Sequence, residues 1–293
     1  MIVGTRGSKL ARAQTDLFVS VFRERHPDVP VEIKTVATTG DRVRDRPLSS
    51  LGGLGAFTKE LDQQIVAGNI DVAVNSLKDM PVKLTPGVTM VAVLPRGPVE
   101  DVVVPSVLLD DLPPGAVVGT SSVRRRALVL SRRKDLVLRE LRGNVPTRLR
   151  KVGEREYDAI VVARAGLERL GYEGEYLILD PSEFVPAAGQ GVIAAVCGEG
   201  SRWEPLLRSL DDRTTRIEAE AERHILKELG GGCSVPIGVY AKVDGESLKI
   251  MGVVLSEDGS RAARASETIP IDRLPAGLES ISAKLRRGLE AVS

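Results

Sequence analysis

Aromatic residues make up only 3% of the chain, and it has two cysteines and two histidines. No aromatic lies among its clustered arginines, so the stacking platforms that grip single-stranded nucleic acid are missing. Two cysteines cannot build a disulfide framework. With no CxxC and no histidine cluster, nothing points to a metal. No apolar run reaches the length of a membrane span, and the opening Met-Ile-Val-Gly-Thr-Arg-Gly lacks the long apolar stretch of a secretory signal. No GxGxxG or GxxxxGK spacing claims a nucleotide. The formal net charge of +1 contrasts with the general basicity of nucleic-acid proteins, which leaves a duplex reader as the one nucleic-acid alternative. The expectation is a soluble, cytoplasmic protein with no membrane partner.

What is present is enough for real cores. A chain of 293 residues with 42% hydrophobic content suggests two or three domains. Charge of one sign is concentrated locally, between Gly119 and Leu149. There a strand end leads into the turn Thr120-Ser121-Ser122 and a helix that opens on Arg124, Arg125 and Arg126. The positive end of a helix dipole repels cations, so three arginines in a first turn make sense if an anion sits among them. A strand from Leu136 to Leu141 follows. The turn Arg142-Gly143-Asn144 then leads through Pro146, at the first helical position, into a helix carrying Arg148. Arginine's planar fork grips carboxylate or phosphate bidentately, so the ligand expected here is an anion with several acidic groups. The alternative is a solvated basic helix face. Arg132, Arg133 and Lys134 fit that second reading better, since they meet the negative end of the dipole.

Along the chain, a strand from Ile2 to Thr5, a turn with Ser8 as N-cap, and a helix with Leu10, Ala13, Leu17 and Val21 on one face and Phe18 and Phe22 beside them precede a strand from Val31 to Val36. This is a βαβ unit, which places Arg6 and Ser8 at the carboxyl end of a strand, where α/β sheets bind ligands. Gly52, Gly53 and Gly55 lead to a helix with Phe57, Leu61 and Ile65 at helical spacing and Lys59 in its first turn. A strand from Ile70 to Asn75 runs into Ser76-Leu77-Lys78-Asp79-Met80-Pro81, the position where an α/β enzyme carries its chemistry. Asp79 is the one carboxylate among these cations, suited to stabilising a developing cation or exchanging protons. It could equally pair with Lys78 or cap a turn.

Pro95, Gly97 and Pro98 mark a crossover, and Phe184 to Gly191 marks the return. The expected fold is α/β, with two periplasmic-binding-protein-like domains whose open sheets form a cleft, followed by a small C-terminal α+β domain. The boundaries are 1–94 with 192–208, 99–185, and 213–293. The third domain reads as a helix from Arg213 to Leu229, strands at Val235 to Val243, Ser247 to Leu255 and Thr268 to Ile271, and a last helix. Cys197 closes an apolar strand and reads as packing. Cys233 follows Gly230-Gly231-Gly232, a loop costly to order unless the backbone must approach something closely. That makes Cys233 an attachment point or a structural cap.

These residues together resemble the porphobilinogen deaminase family, also called hydroxymethylbilane synthase. The matches are Thr-Arg-Gly-Ser at 5–8, Thr-Lys-Glu-Leu at 58–61, Asn-Ser-Leu-Lys-Asp-Met-Pro-Val at 75–82 and Gly-Thr-Ser-Ser-Val-Arg-Arg at 119–125. They continue with Leu-Arg-Gly-Asn-Val-Pro-Thr-Arg-Leu at 141–149, Gly-Gln-Gly at 189–191 and Gly-Gly-Cys-Ser-Val-Pro-Ile-Gly at 231–238. The resemblance implies a monomer with a dipyrromethane cofactor joined by a thioether to Cys233. It also implies head-to-tail condensation of four porphobilinogen molecules, with loss of ammonia, and hydrolytic release of hydroxymethylbilane for porphyrin and haem synthesis. By the same resemblance Asp79 is the catalytic aspartate, and Arg6, Lys78, Arg124, Arg125, Arg142 and Arg148 grip carboxylates. Ser8, Ser76, Thr120, Ser121, Ser122 and the Gly143 N–H are neutral donors, with Gln14, Lys59 and Gln190 as secondary contacts. Three positions depart from the family pattern. Leu54 stands where lysine is frequent, Asn75 where histidine is frequent, and Arg164 where a small residue is usual, so Arg164 is a possible compensating cation.

Overall fold

The computed structural model describes residues 1–39, 55, 57–230 and 235–292. Two compact units divide the chain: Met1–Gly97 with Gly191–Ile217, and Pro98–Gln190 with Glu218–Ser293. The first stretch supplies β1 (Ile2–Arg6), α1 (Lys9–Arg25), β2 (Glu32–Val36), α2 (Lys59–Val66), β3 (Val72–Ser76) and β4 (Val88–Val93). The second supplies β5 (Asp101–Val104), β6 (Val117–Gly119), α3 (Val123–Arg132), β7 (Val137–Arg139), α4 (Val145–Gly153), β8 (Ala159–Ala163), α5 (Arg164–Arg169) and β9 (Leu177–Ile178). The chain then gives β10 (Ile193–Gly198), α6 (Glu204–Arg208) and α7 (Arg213–Glu228). It ends with β11 (Ile237–Asp244), β12 (Ser247–Leu255), β13 (Ala262–Pro270) and α8 (Leu274–Val292).

In the first unit the sheet order is β2-β1-β3-β10-β4, and in the second β7-β6-β8-β5-β9. The two orders are the same pattern. Three parallel strands are followed by one antiparallel strand, β10 or β5, inserted from elsewhere in the chain. The βα turns that follow the parallel strands therefore open at one edge of each sheet, the side on which such sheets place ligands. A separate antiparallel sheet, β11-β12-β13, carries α8. The α/β class with a small C-terminal sheet-and-helix layer is thus as expected.

Some local expectations are corrected. The buried apolar residues of α1 are Ala11, Phe18, Val19 and Phe22, whereas Leu17 is 46% exposed and Leu10, Ala13 and Val21 are only half-buried. Phe18 and Phe22, expected beside that face, are fully buried and stack with centroids 6.4 Å apart. β7 is three residues long, shorter than the strand expected from Leu136 to Leu141. β13 spans nine, because its alternating exposure needs apolar residues on only one face. Pro146 is the second residue of α4 rather than the first. Cys197 is fully buried in the first unit's core, and burial pushes its thiol up to about 11, so it is an inert packing residue as read. On α7, Ala221 and Ile225 are buried, as is Leu229 just beyond its end, but so is Glu222. Its carboxylate accepts from the backbone N–H of Gly189 at 2.7 Å and of Ala241 at 2.8 Å, which satisfies both buried donors. No helix among the described residues is long and apolar enough to cross a membrane.

Candidate active site

In the first unit, the C-terminal ends of β1 and β3 shape one pocket. Ser8 ends the β1 turn as N-cap of α1, accepting from the Ala11 N–H at 3.2 Å, so its hydroxyl has a capping role. Arg6 lays its guanidinium over the Phe57 ring, 4.0 Å from the centroid, a cation–π contact that fixes the charge at the mouth. Gln14, one turn into α1 and buried, places its amide at the Ser76 hydroxyl, 2.8 Å from Nε2 and 3.1 Å from Oε1. After β3 the chain makes a short 3-10 turn, Leu77–Asp79, anchored where the Leu77 N–H donates to the Val192 carbonyl at 3.0 Å. Pro81 prevents its extension.

Arg6, Gln14, Phe57, Asn75, Ser76 and Asp79 line that pocket together. Asp79 is half-buried, and among the described residues its carboxylate takes part in no hydrogen bond or ion pair, with Lys78 included. The turn therefore presents an acceptor to the pocket instead of spending it on the fold. Lys59, the first residue of α2, is exposed and does not line the pocket.

In the second unit, Gly119 ends β6 where a Cβ would lie 2.7 Å from the Tyr157 ring, so the strand can end this close to its neighbours only without a side chain. Thr120 Oγ1 accepts from the Ser122 N–H at 3.2 Å, and Ser122 caps α3 by accepting from the Arg125 N–H at 3.4 Å. Arg124 and Arg125 turn inward, and at 4% and 7% exposure both are buried. Their anion is internal. Arg124 Nη2 is 2.7 Å from one oxygen of the fully buried Asp101, and Arg125 Nε and Nη2 are 3.0 and 2.7 Å from the other. Gln190 Nε2 donates to the same carboxylate at 2.9 Å and to the Val99 carbonyl at 2.7 Å. Burial alone would raise the Asp101 carboxyl, but the Arg124 and Arg125 guanidiniums, with hydrogen bonds from Arg125 and Gln190, hold it well below the usual carboxylate range. Two buried cations against one anion leave one positive charge over. Arg124 Nε has no hydrogen-bond partner among the described residues.

Arg126 is exposed, and Arg132 and Arg133 pair at the surface with Asp110, Glu183 and Asp135, in keeping with their reading as a solvated face. At the second turn Gly143 has φ +107°, a backbone conformation that glycine tolerates and that a Cβ against Thr147 would block. Asn144 caps α4 by accepting from the Thr147 N–H at 3.0 Å. Arg142 pairs with Glu140 at 2.6 Å, and Arg148 Nε donates to the Gly143 carbonyl at 2.8 Å. Arg164 opens α5 and is held by Glu168 at 2.8 Å and Glu100 at 3.5 Å. Cys233 and Leu54 lie outside the described residues.

Asp101 was missed in the sequence, although a signal was there: an acid heading a run of three valines must find a cation when the strand is buried. Phe57, read only as a core residue, was missed as the partner of Arg6.

Residues 1–203 match the family described as "Porphobilinogen deaminase, dipyromethane cofactor binding domain", and residues 216–283 match "Porphobilinogen deaminase, C-terminal domain". A probable porphobilinogen deaminase of Methanosarcina acetivorans is 46% identical over 92% of this chain and 86% of its own length. The porphobilinogen deaminase of Brevibacillus brevis is 42% identical over 98% of this chain and 94% of its own. A periplasmic aliphatic sulphonate binding protein of Escherichia coli covers 79% of this chain and 70% of its own at 13% identity, with a TM-score of 0.40. At this identity over nearly the whole length, the chain belongs to the porphobilinogen deaminase family.

Proposed function

We propose that this protein is a transferase that joins four porphobilinogen molecules head to tail, releasing one ammonia at each step and hydroxymethylbilane by a final hydrolysis. The observation that carries this reading is the unpaired Asp79 carboxylate, set beside Arg6 in a pocket at the strand ends of an enzyme of this family. Porphobilinogen is a pyrrole with two carboxylate arms and an aminomethyl group. Loss of ammonia leaves a cation spread over the ring, and each new carbon–carbon bond releases a proton. Asp79 would accept the pyrrole N–H, stabilise the cation and take that proton. Arg6 and Lys78 on the first unit, and Arg142 and Arg148 on the second, would take carboxylate arms. The turn hydroxyls of Ser76, Thr120 and Ser121 and the Gly143 N–H would add neutral hydrogen bonds. Arg124 and Arg125, with one positive charge beyond Asp101, would hold a further carboxylate.

These residues fit a dipyrromethane. An open carboxylate suits pyrrole N–H groups, and the unpartnered Arg124 Nε with its surplus charge suits an acidic arm. When bound through Cys233, that group supplies the carbon to which the first substrate is joined. We place the protein in the cytoplasm as a monomer of three domains, 1–94 with 192–208, 99–185 and 213–293, with no nucleic-acid partner.

The test is the intact mass of the denatured protein. An excess equal to two linked pyrroles, lost in Cys233→Ala and followed by a ladder of one-pyrrole increments on adding porphobilinogen, is expected. Turnover by a protein that carries no excess mass would overturn the tethered-cofactor reading. For Arg164, the proposed stand-in for a cation at Leu54, Arg164→Ala should raise KM for porphobilinogen severalfold, as loss of one partly exposed charge contact does. An unchanged KM would mean that Arg164 serves only Glu100 and Glu168.

A further inference from the structure

Besides Asp79, the pocket contains two polar side chains that form no hydrogen bond with the described residues. Asn75 is 5% exposed, and its Nδ2 has no partner among the described residues. Thr58 is 2% exposed and its Oγ1 likewise has none, although it stands at the N-cap position of α2, where a threonine hydroxyl ordinarily accepts from the helix. Both residues line the pocket with Arg6, Gln14, Ser76 and Asp79. A buried polar group left unpaired destabilises the protein, and native proteins leave few of them. Two in one small pocket, next to an unpaired carboxylate, indicate a partner that arrives from outside.

The neighbours define that partner. Asn75 offers an amide donor, Thr58 a hydroxyl that can donate, and Arg6 a positive charge held over Phe57. Asp79 is the one acid in the pocket lining and is suited to a ring N–H. Ser76 and Gln14 already bond to each other. The donors without partners therefore ask for an acceptor carrying negative charge.

We propose that Thr58 and Asn75 are substrate-binding residues that donate hydrogen bonds to one carboxylate arm of the pyrrole whose N–H faces Asp79. Arg6 neutralises this arm, while the two neutral donors fix which way the ring lies. This rests on the transferase reading above and adds to it two contacts that set the orientation of the ring. In the unloaded protein this pocket bears two donors without partners among the described residues, and the loaded one satisfies them, so binding and stability change in opposite directions when either donor is removed.

The experiment compares Thr58→Val and Asn75→Leu, each keeping the branching and number of side-chain heavy atoms of the native residue, with the wild type. Each full-length chain is prepared without porphobilinogen for thermal unfolding, and loaded for steady-state kinetics. The expected result is an unloaded midpoint equal to or above that of the wild type, together with a KM for porphobilinogen raised about tenfold by each change. A lowered unloaded midpoint would assign the two groups to the fold and overturn the proposal. An unchanged KM would overturn it as well, leaving a bound water as the only partner. If Asn75→Leu does not fold, Asn75→Ala and Thr58→Val decide by the same two readouts. Failure of the wild type to consume porphobilinogen would defeat the transferase reading itself, a result separate from any difference between variant and wild type.

Discussion

Asp101→Asn should destabilise the protein by about 3–5 kcal/mol, the effect of removing one partner from a buried ion pair and leaving the other charged. The asparagine keeps the shape and one acceptor oxygen, so packing against Val102 and Val103 is preserved and the loss is electrostatic. Arg124 and Arg125 are both buried and cannot turn to water without opening α3, while the Gln190 amide stays held by the Val99 carbonyl. For units of this size the thermal midpoint should fall by roughly 10 °C or more. The pH dependence follows from the sign of the shift. Because the folded Asp101 carboxyl lies well below its ordinary value, its stabilisation is complete above the unfolded pKa and is lost only as pH falls through the lower folded one. The gap in midpoint between wild type and Asp101→Asn should therefore stay constant from neutral pH down to about pH 4 and close in stronger acid. Thermal melts at several pH values check this, and a gap that closes between pH 6 and 5 would show that Asp101 is not the counter-ion.

Asp79→Asn should leave folding and cofactor loading intact yet lower kcat by about 10²- to 10⁴-fold, the range for removing a positioned acid–base group. The side chain forms no hydrogen bond or ion pair with the described residues, so exchanging it for an isostere removes nothing from the fold. What is removed is charge. An amide neither balances the cation left by departing ammonia nor accepts the proton released when the new bond forms. Single-turnover kinetics, with intact mass to confirm loading, separate this from a binding defect. Near-normal turnover would take Asp79 out of the mechanism.

The parts of the site legible in the sequence are those set by neighbours along the chain. Ser8, Ser122 and Asn144 read as N-caps or turn residues because a cap needs only the next few residues. Asp79 stood out because a strand end followed by Ser, Lys, Asp and Pro has a local meaning. What stayed hidden depends on residues far apart in sequence. Arg124 and Arg125 read as needing a ligand anion, whereas the anion they meet in the fold is Asp101, 23 and 24 positions earlier, and no periodicity announces such a pairing. The common strand order of the two sheets is hidden as well, since short valine-rich strands share little sequence beyond their apolar character. Thr58 shows the opposite limit. Its position predicts a cap, and its hydroxyl does not cap.

The insertion of β10 between β3 and β4 has a consequence for biosynthesis. Until residue 198 has left the ribosome, the nascent chain holds two neighbouring hydrophobic strands with the slot between them unfilled. By then all of β5–β9 has been made and can close its own sheet. The amino-terminal sheet, although begun first, is completed only after the sheet of β5–β9, and in the meantime it must be shielded from joining its open strand edges to those of another molecule.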